Sequence, residues 1–464
     1  MHPLLVHGGV LVPLLRHMGY PVRMRLVSRA FRAAYDETVR RSERPPTRWL
    51  HDELQLSRAR AAVPHAALRV CRFIPSSLEG VHTVMLSHCK HIEDVSALAS
   101  CHTLNLRGCT KVCDVSALGR VRVLDLAWTG VRDASALACA HTLDLSMTPL
   151  VDASRLGHVH TLKLSGTMVS DASALGSVHN LNLSYTRVVD VSMLGRVHDL
   201  NLSYTHVVDV SMLGRVHDLN LSNTRVRDVH ALGNVHKLNL AGTRISDLSA
   251  LSKVHSLSLC GADVGDVSCL DGVYHLVLAL TFVRDVSRLG NVHTLDLSHT
   301  DVEDVSALSR VHTLRLCGCT HVRDVSRLGN VHTLDLGECA NIRDVSALGS
   351  VHTLVLRDCR GIEDVSQLGH VHTLCLDRCT RIVDVSKLAS VHTLSLRNCT
   401  GVRDVSRLAS VQSLDLYGCA NVEDVSMLAC VPKLLLRGCG GFTQEAQAKI
   451  NMYRRQHGLN LVSQ

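Results

Sequence analysis

Aromatic residues are scarce: two Trp, seven Tyr and four Phe make up 3% of 464 residues, although 46% of the chain is hydrophobic. A core organised around rings is thereby excluded, and Leu, Val, Ala and Cys must fill it. No uninterrupted apolar run reaches the ~18 residues of a membrane span. Glycine numbers only 30 and keeps no three-residue period, which excludes collagen, and the apolar content excludes a disordered chain. Charge of one sign is also missing from most of the sequence. The first 60 residues carry eleven Arg against five acidic residues, a balance of +6, while the whole chain is +7. The rest is close to neutral, which argues against a long nucleic-acid groove, since phosphates need clustered Lys and Arg.

What the chain has instead is repetition. The pattern Val-His-Thr-Leu-x-Leu-x-x-(Thr or Cys) recurs in nineteen registers, with first strand leucine positions running from Val84, Leu104 and Leu124 to Leu414 and Leu434. Ten steps of 19 residues separate Leu124 from Leu314, flanked by two earlier and six later steps of 20. Fixed periods of this length mark stacked supersecondary units. Length alone suggests several domains or one extended architecture.

Each unit reads as one short strand and one tight return. In Val311-His312-Thr313-Leu314-Arg315-Leu316 the leucines alternate with a polar residue, the mark of a strand with one buried face. The return carries Asp324-Val325-Ser326-Arg327-Leu328. An Asp stands there after each of the first eighteen strands, and Ser follows two residues later in all but one, His230. Both side chains are expected to accept bonds from the N–H groups opening a 3₁₀ or single α turn. One unit cannot bury enough surface to stand alone, so stacking into a parallel sheet is required.

The pattern Leu-x-x-Val-x-x-Leu-x-Leu-x-x-(Thr/Cys)-x-Val resembles the leucine-rich repeat. Asp-Val-Ser-x-Leu-(Gly/Ala)-x-Val-His-Thr-Leu-x-Leu-Ser is similar to the internalin-type version shortened on its outer side. The resemblance implies an α/β class solenoid, with a parallel β-sheet on a concave face and short 3₁₀ or α turns on a convex face. Thr or Cys stands where the family usually has Asn, and it changes with the step length. Thr accompanies 19 residues (Thr129 to Thr300) and Cys accompanies 20 (Cys89, Cys109, then Cys319 to Cys439), with Ala262 once. This column reads as a buried structural ladder, because parallel Cβ vectors disfavour disulfides and Cys317-Gly318-Cys319 is too isolated for zinc. With nine of the eighteen cysteines so used, and Leu4–Leu15 lacking a basic leader and a cleavage site, a reducing, cytoplasmic setting is expected.

Histidine precedes the strand in fifteen of nineteen copies, from His82 to His392. Stacked imidazoles offer a metal reading, but no carboxylate or Cys stands in chelating spacing, and copying a structural unit explains the column. Neutral near pH 7, the rings should repel one another on acidification. Repeated Asp, Ser and His occupy separate ladders, so no triad is expected; no phosphate loop or His-Glu-x-x-His motif occurs either. An enzyme is not expected, nor a cofactor, metal or catalytic residue.

Partner contacts should use the exposed strand face. Its variable places hold Asn182, Asn201, Asn220 and Asn239, with Trp128, Tyr185 and Tyr204 at strand ends, then Arg357, Arg378, Arg397, Tyr417 and Arg437. Aromatic and Arg side chains are the types that anchor interfaces, so Trp128, Tyr185, Tyr204, Arg357, Arg378, Arg397 and Tyr417 are the partner-binding candidates. The alternative is that these positions are simply free to vary.

Residues 1–50 leave the repeat. Leu5, Val10, Leu11, Leu14, Leu15 and Met18 fall at helical spacing, and Met24, Leu26, Val27 and Phe31 mark a second helix after Gly19-Tyr20-Pro21. The stretch resembles a divergent F-box: Pro3, Val10, Leu11 and Leu14 match its opening helix, Leu26-Val27-Ser28-Arg29-Ala30-Phe31-Arg32 its signature, and Trp49 its closing Trp. That resemblance implies a Skp1-like adaptor bound through Pro3, Val10, Leu11, Leu14, Pro21, Val27 and Phe31. A helical cap over the first repeat is the alternative. Residues 51–80 are expected as linker and N-terminal cap with an incomplete first repeat, 81–440 as the solenoid of 19 strands, and 441–464 as a capping helix. An F-box followed by leucine-rich repeats resembles the substrate receptors of cullin-RING ubiquitin ligases, a protein-binding role for a monomer with no nucleic-acid or membrane partner. The near-identical copies are also similar to repeat proteins of large DNA viruses of amoebae, which implies a host protein target in host cytoplasm, or a decoy scaffold with no ligase link.

Overall fold

Period-2 alternation lasts only from one leucine to the next in each copy, so the strands are short. In the computed structural model they span three residues apiece, as in Thr313–Arg315. The structure describes residues 82–462 together with two further strands, Thr47–Leu50 and Ala67–Val70. Two units divide the chain between His206 and Val207. From residue 82 on, the first holds seven strands, Thr83–Met85 to Asp199–Asn201, and the second twelve, Asp218–Asn220 to Lys433–Leu435.

Pairing is parallel throughout both units, and its register sets leucine over leucine. Leu314 faces Leu334, which faces Leu354. Leu316 N–H donates to Asp335 O at 2.7 Å, and Thr333 N–H to His312 O at 3.0 Å. Seven side chains per copy point inward: in one, Leu314, Leu316, Cys319, Val322, Val325, Leu328 and Val331 are all buried. At ~1.5–3 kcal/mol for each large aliphatic side chain, this repeated burial is the main force holding a copy to its neighbours.

The returns form sixteen 3₁₀ helices of three to five residues among the described residues. All but Leu289–Asn291 and Leu328–Asn330 begin two residues after the Asp of the motif. Asp344 Oδ1 accepts from Ser346 N–H at 2.9 Å, and the residue at the helix cap itself, Val345, contributes no side-chain bond. The Ser hydroxyl does not accept as expected; Ser426 Oγ donates to Asp424 Oδ2 at 2.8 Å. Asp alone therefore satisfies the orphan N–H, and Ser tightens the carboxylate.

At the N-terminal side, Ala67–Val70 pairs in parallel with Thr83–Met85, and Thr47–Leu50 with Ala67–Val70. The segment expected as linker and N-terminal cap with an incomplete first repeat carries a strand, and Trp49 stands in another, opposite Arg69. The remainder of residues 1–50 lies outside the described residues. At the other end, the helix Gln444–Gln456 opens at Thr443, whose side chain accepts from Ala446 N–H at 3.2 Å. Its Arg454 is buried and donates to the carbonyls of Asn460, Ala429, Val431 and Pro432. The carbonyl of His392, at the place of Pro432 two copies earlier, is taken by the N–H groups of Gln412 and Ser413, so one guanidinium stands in for the missing next copy. Arg454→Met should cost about 2–4 kcal/mol by leaving buried carbonyls unpaired. The check is a lowered urea midpoint with early hydrogen exchange at Leu428–Leu436; an unchanged midpoint would make the helix an ornament.

Candidate binding surface

Four outward positions follow one another along each copy: the His before the strand, the Thr that opens it, the residue between the leucines, and the turn after the second leucine. The His rings stack. In the second unit His217, His236, His255, Tyr274, His293, His312, His332, His352, His372 and His392 form one run, with neighbouring centroids 4.4–5.0 Å apart. Nδ1 of His352 meets Thr353 Oγ1 at 3.3 Å, and the same contact recurs at His312, His332 and His392. Face-to-face rings in this run aim their in-plane lone pairs in parallel, but in the first unit a carboxylate does stand beside a ring, contrary to the spacing expected from sequence: Asp199 Oδ1 lies 2.7 Å from His198 Nδ1. Tyr274 replaces one imidazole without breaking the run, which fits a packing role.

The Thr and Cys column is buried in both units. Thr129 Oγ1 donates to Leu126 O of its own copy at 2.6 Å, while Cys339 Sγ donates to Leu316 O of the preceding copy at 3.1 Å. The added residue in Cys copies closes a turn from Ile342 N–H to Cys339 O at 3.3 Å; in Thr copies the chain runs extended, with Arg187 N–H on Val169 O at 3.0 Å. Side chain and step length change together because each geometry supplies a different carbonyl. Burial pushes the Cys339 and Cys379 thiols up to about 12, which suppresses thiolate chemistry.

The middle-strand residues carry structure as well. Oδ1 of Asn182 accepts from Ser184 N–H at 2.9 Å, and Asn201, Asn220 and Asn239 do the same for Ser203, Ser222 and Ala241. These four, read from sequence as free to vary, fix the turn beyond the strand.

That turn contains the feature least legible in sequence. Its second residue is left-handed in all nineteen copies, glycine in seven and another residue in twelve. Trp128, Tyr185, Tyr204 and Arg378 sit there with φ of 61, 57, 58 and 60°. They stand in the loop past the strand and not at its end. Such backbone costs a bulky residue ~1–2 kcal/mol, yet Trp128, Met147, Tyr185 and Tyr204 remain 52, 42, 54 and 48% exposed. Glycine at seven copies was the signal that could have revealed it. Arg357, Arg397 and Tyr417 lie one place earlier. The arginines are neutralised nearby: Arg357 reaches Glu338 at 3.2 Å, Arg378 reaches Asp358 at 3.4 Å, and Arg397 lies 3.8 Å from Asp415 and 5.0 Å from the Tyr417 ring centre. Pro3, Val10, Leu11, Leu14, Pro21, Val27 and Phe31, the expected adaptor contacts, lie outside the described residues.

No family model matches the chain, and no curated protein matches it. Solved structures do. The leucine-rich repeat protein LIC12759 of Leptospira interrogans is 14% identical and covers 79% of this chain and 99% of its own, with a TM-score of 0.51. The fold is leucine-rich repeat. The functional domain of InlJ from Listeria monocytogenes, described as including a cysteine ladder, is 18% identical over 69% of this chain and 74% of its own, TM-score 0.46. Internalin InlF from the same organism is 18% identical over 60% and 82%, TM-score 0.42. Among the described residues no helix is long and apolar enough to cross a membrane.

Two predictions follow from the columns of this leucine-rich repeat chain. His236 and His352 are held below the usual 6.5, first by desolvation and then by the flanking rings. The folded state then favours the neutral ring, so the stability they contribute is complete above pH 6.5 and drains away as pH falls below it. His230, raised by Asp228, has the opposite sign but is a single group. The return carboxylates, held below 3.8, titrate at lower pH. Tm should therefore fall between pH 7.5 and 5.5; a flat profile would refute the ring repulsion. Thiol labelling with a disulfide reagent at pH 8 should modify exposed Cys113, Cys139 and Cys430 quickly, leaving the buried column Cys339, Cys359, Cys379, Cys399, Cys419 and Cys439 untouched until urea is added.

Proposed function

We propose that this chain is a protein-binding scaffold with no chemistry of its own, attached to a larger assembly through its N-terminal segment. The observation that supports this most is the division of labour within each copy. Leucine, Asp, Asn, Thr and Cys columns satisfy one another and hold the fold, whereas the turn beyond the strand displays Trp128, Tyr185 and Tyr204 at a conformational cost and in the open. Aromatic side chains kept exposed on strained backbone are what an interface anchor requires.

The finer reading is a substrate receptor of an SCF-type ubiquitin ligase. It rests on the F-box resemblance of residues 1–50, in which Val27 and Phe31 dock a Skp1-like adaptor while the repeats hold a target protein. Catalysis would come from proximity alone, by raising the local concentration of a target lysine near the conjugating enzyme. A viral origin would place this monomer in host cytoplasm with a host protein as target. The competing reading keeps the scaffold, or a decoy for host proteins, and makes residues 1–50 a cap with no ligase link.

Pull-down against Skp1 separates them. Under the receptor reading the full chain is retained, and Val27→Asp or Phe31→Asp abolishes retention while circular dichroism of the repeats stays unchanged. Absence of retention by the unaltered chain in low salt would leave only the scaffold.

A further inference from the structure

Within the first unit the left-handed row reads Trp128, Met147, Gly166, Tyr185, Tyr204. Tyr185 and Tyr204 stack with centroids 4.3 Å apart and planes within 9°. Gly166 has no side chain of its own to offer, and a Cβ there would come within 2.4 Å of Met147 Sδ; the Met147 thioether therefore lies across it. The row is thus a short trough, floored by Met147 over Gly166, with the Trp128 indole at one end and the Tyr185–Tyr204 pair at the other. From Trp128 to Tyr185 is three strand spacings, about 14 Å.

Its borders carry little charge: Arg187 stands beside the tyrosine pair and Asp125 on the strand that leads to Trp128. The residues one place before the row are Ala127, Ser146, Ser165 and Ser184, with Ser184 Oγ donating to Ser165 Oγ at 2.8 Å. Two places after it stand Gly130, Pro149 and Met168, and charge returns only at Arg187. Further back on the strands, Lys163 and Asp144 offset each other at 3.9 Å. A highly charged segment would lose its hydration here with Arg187 as the one cation beside the row.

We infer that this trough docks an uncharged, proline-bearing extended segment of a partner protein. The inference rests on the scaffold reading and deepens it. Stacking uses the facing sides of the two tyrosines and their hydroxyls bond to each other, so the pair offers outer faces, edges and one hydroxyl left to donate, beside the Trp Nε1–H. A polyproline II segment supplies what they need: solvated carbonyl acceptors, apolar rings that fit between aromatic walls, no charge, and little conformational entropy left to lose. About 14 Å accommodates some five such residues at ~3.1 Å each. The Met147 thioether adapts to the ring of the ligand.

Trp128 reports on its own trough once Trp49, the other tryptophan, is changed to Phe. The probes are synthetic 12-residue peptides with Pro-x-x-Pro set among Leu, Gly and Ser, the same peptides with Pro replaced by Ala, and versions bearing Asp. The Pro peptides should quench or shift the indole emission saturably and bind at least tenfold tighter than either control. Tyr185→Asn or Tyr204→Asn should weaken binding at least tenfold while Tm stays level or rises, since Asn223 and Asn398 already occupy this left-handed place in other copies. No saturable binding, a preference for Asp peptides, or binding indifferent to both variants overturns the trough. A fall in Tm in the Asn variants also overturns it, because the stack would then be part of the core. Peptides selected by display on the whole chain separate the two levels: binders unaffected by Tyr185→Asn keep the scaffold and remove the trough, and no binders at all remove both.

Discussion

A three-residue strand cannot satisfy its own backbone, and every other feature of this protein follows from that shortage. Leu316 N–H needs Asp335 O, and Thr333 N–H needs His312 O, so each copy is completed by the next. The same register puts Leu314 over Leu334 and seals the apolar side. Hydrogen bonding and burial therefore demand the same spacing, and neither tolerates a slip. A one-residue shift would turn the leucines outward and strand the carbonyls at once. The termini feel the shortage directly, which is why a buried Arg454 closes on the last carbonyls with several donors.

The sequence shows this constraint openly, because it is written in the two-residue alternation around Leu314 and repeated at every step. It shows less where the backbone leaves the strand. Trp128 and Tyr185 look like strand-end side chains until the glycines at 108, 166, 242, 261, 318, 418 and 438 are aligned with them; only a left-handed turn explains glycine and tyrosine exchanging at one place. Asn182 and its three successors read as surface variety, since an Asn bonded two residues onward has the same letter as an idle one. The partner of a Thr or Cys side chain is likewise set by which carbonyl the loop brings near. The 19- and 20-residue steps carried that information, but reading it requires knowing that Cys339 reaches back to Leu316 while Thr129 stays within its copy.

Stacking also restricts what may be displayed. Columns whose members complete the turn leave little room for change, and the second turn residue is the place where backbone geometry, not side-chain identity, does the structural task. Glycine is the least costly occupant there. Bulky ones persist in twelve copies, most of them polar or charged. Trp128, Met147, Tyr185, Tyr204 and Leu280 are different, because they are apolar or aromatic and burial does not offset their left-handed backbone, although the two tyrosine side chains bond to each other. In the second unit the stretch from Glu338 to Arg378 instead carries acids and arginines already paired with each other, a surface whose charges are largely spent before any partner arrives.

A stack of near-identical copies forces like beside like, so a column can be ionised only when each member has its own compensation. The Asp column meets this condition: Asp344 is pushed up by Asp324 below it, but the larger effect is Ser346, whose hydroxyl and N–H hold the carboxyl below its usual value. The His column does not. His352 has only a Thr hydroxyl as its partner and other rings as its neighbours, and desolvation followed by those rings holds it below its usual value. Cysteines in the core go further and stay protonated. On the outer turn of the second unit arginine alternates with acids in Glu338, Arg357, Asp358 and Arg378. Repetition by copying therefore selects its own residues: aliphatic side chains inside, carboxylates where two donors meet them, neutral rings where none do. An uncharged aromatic row is the kind of exposed patch such a stack can hold without mutual repulsion, and the first unit holds one.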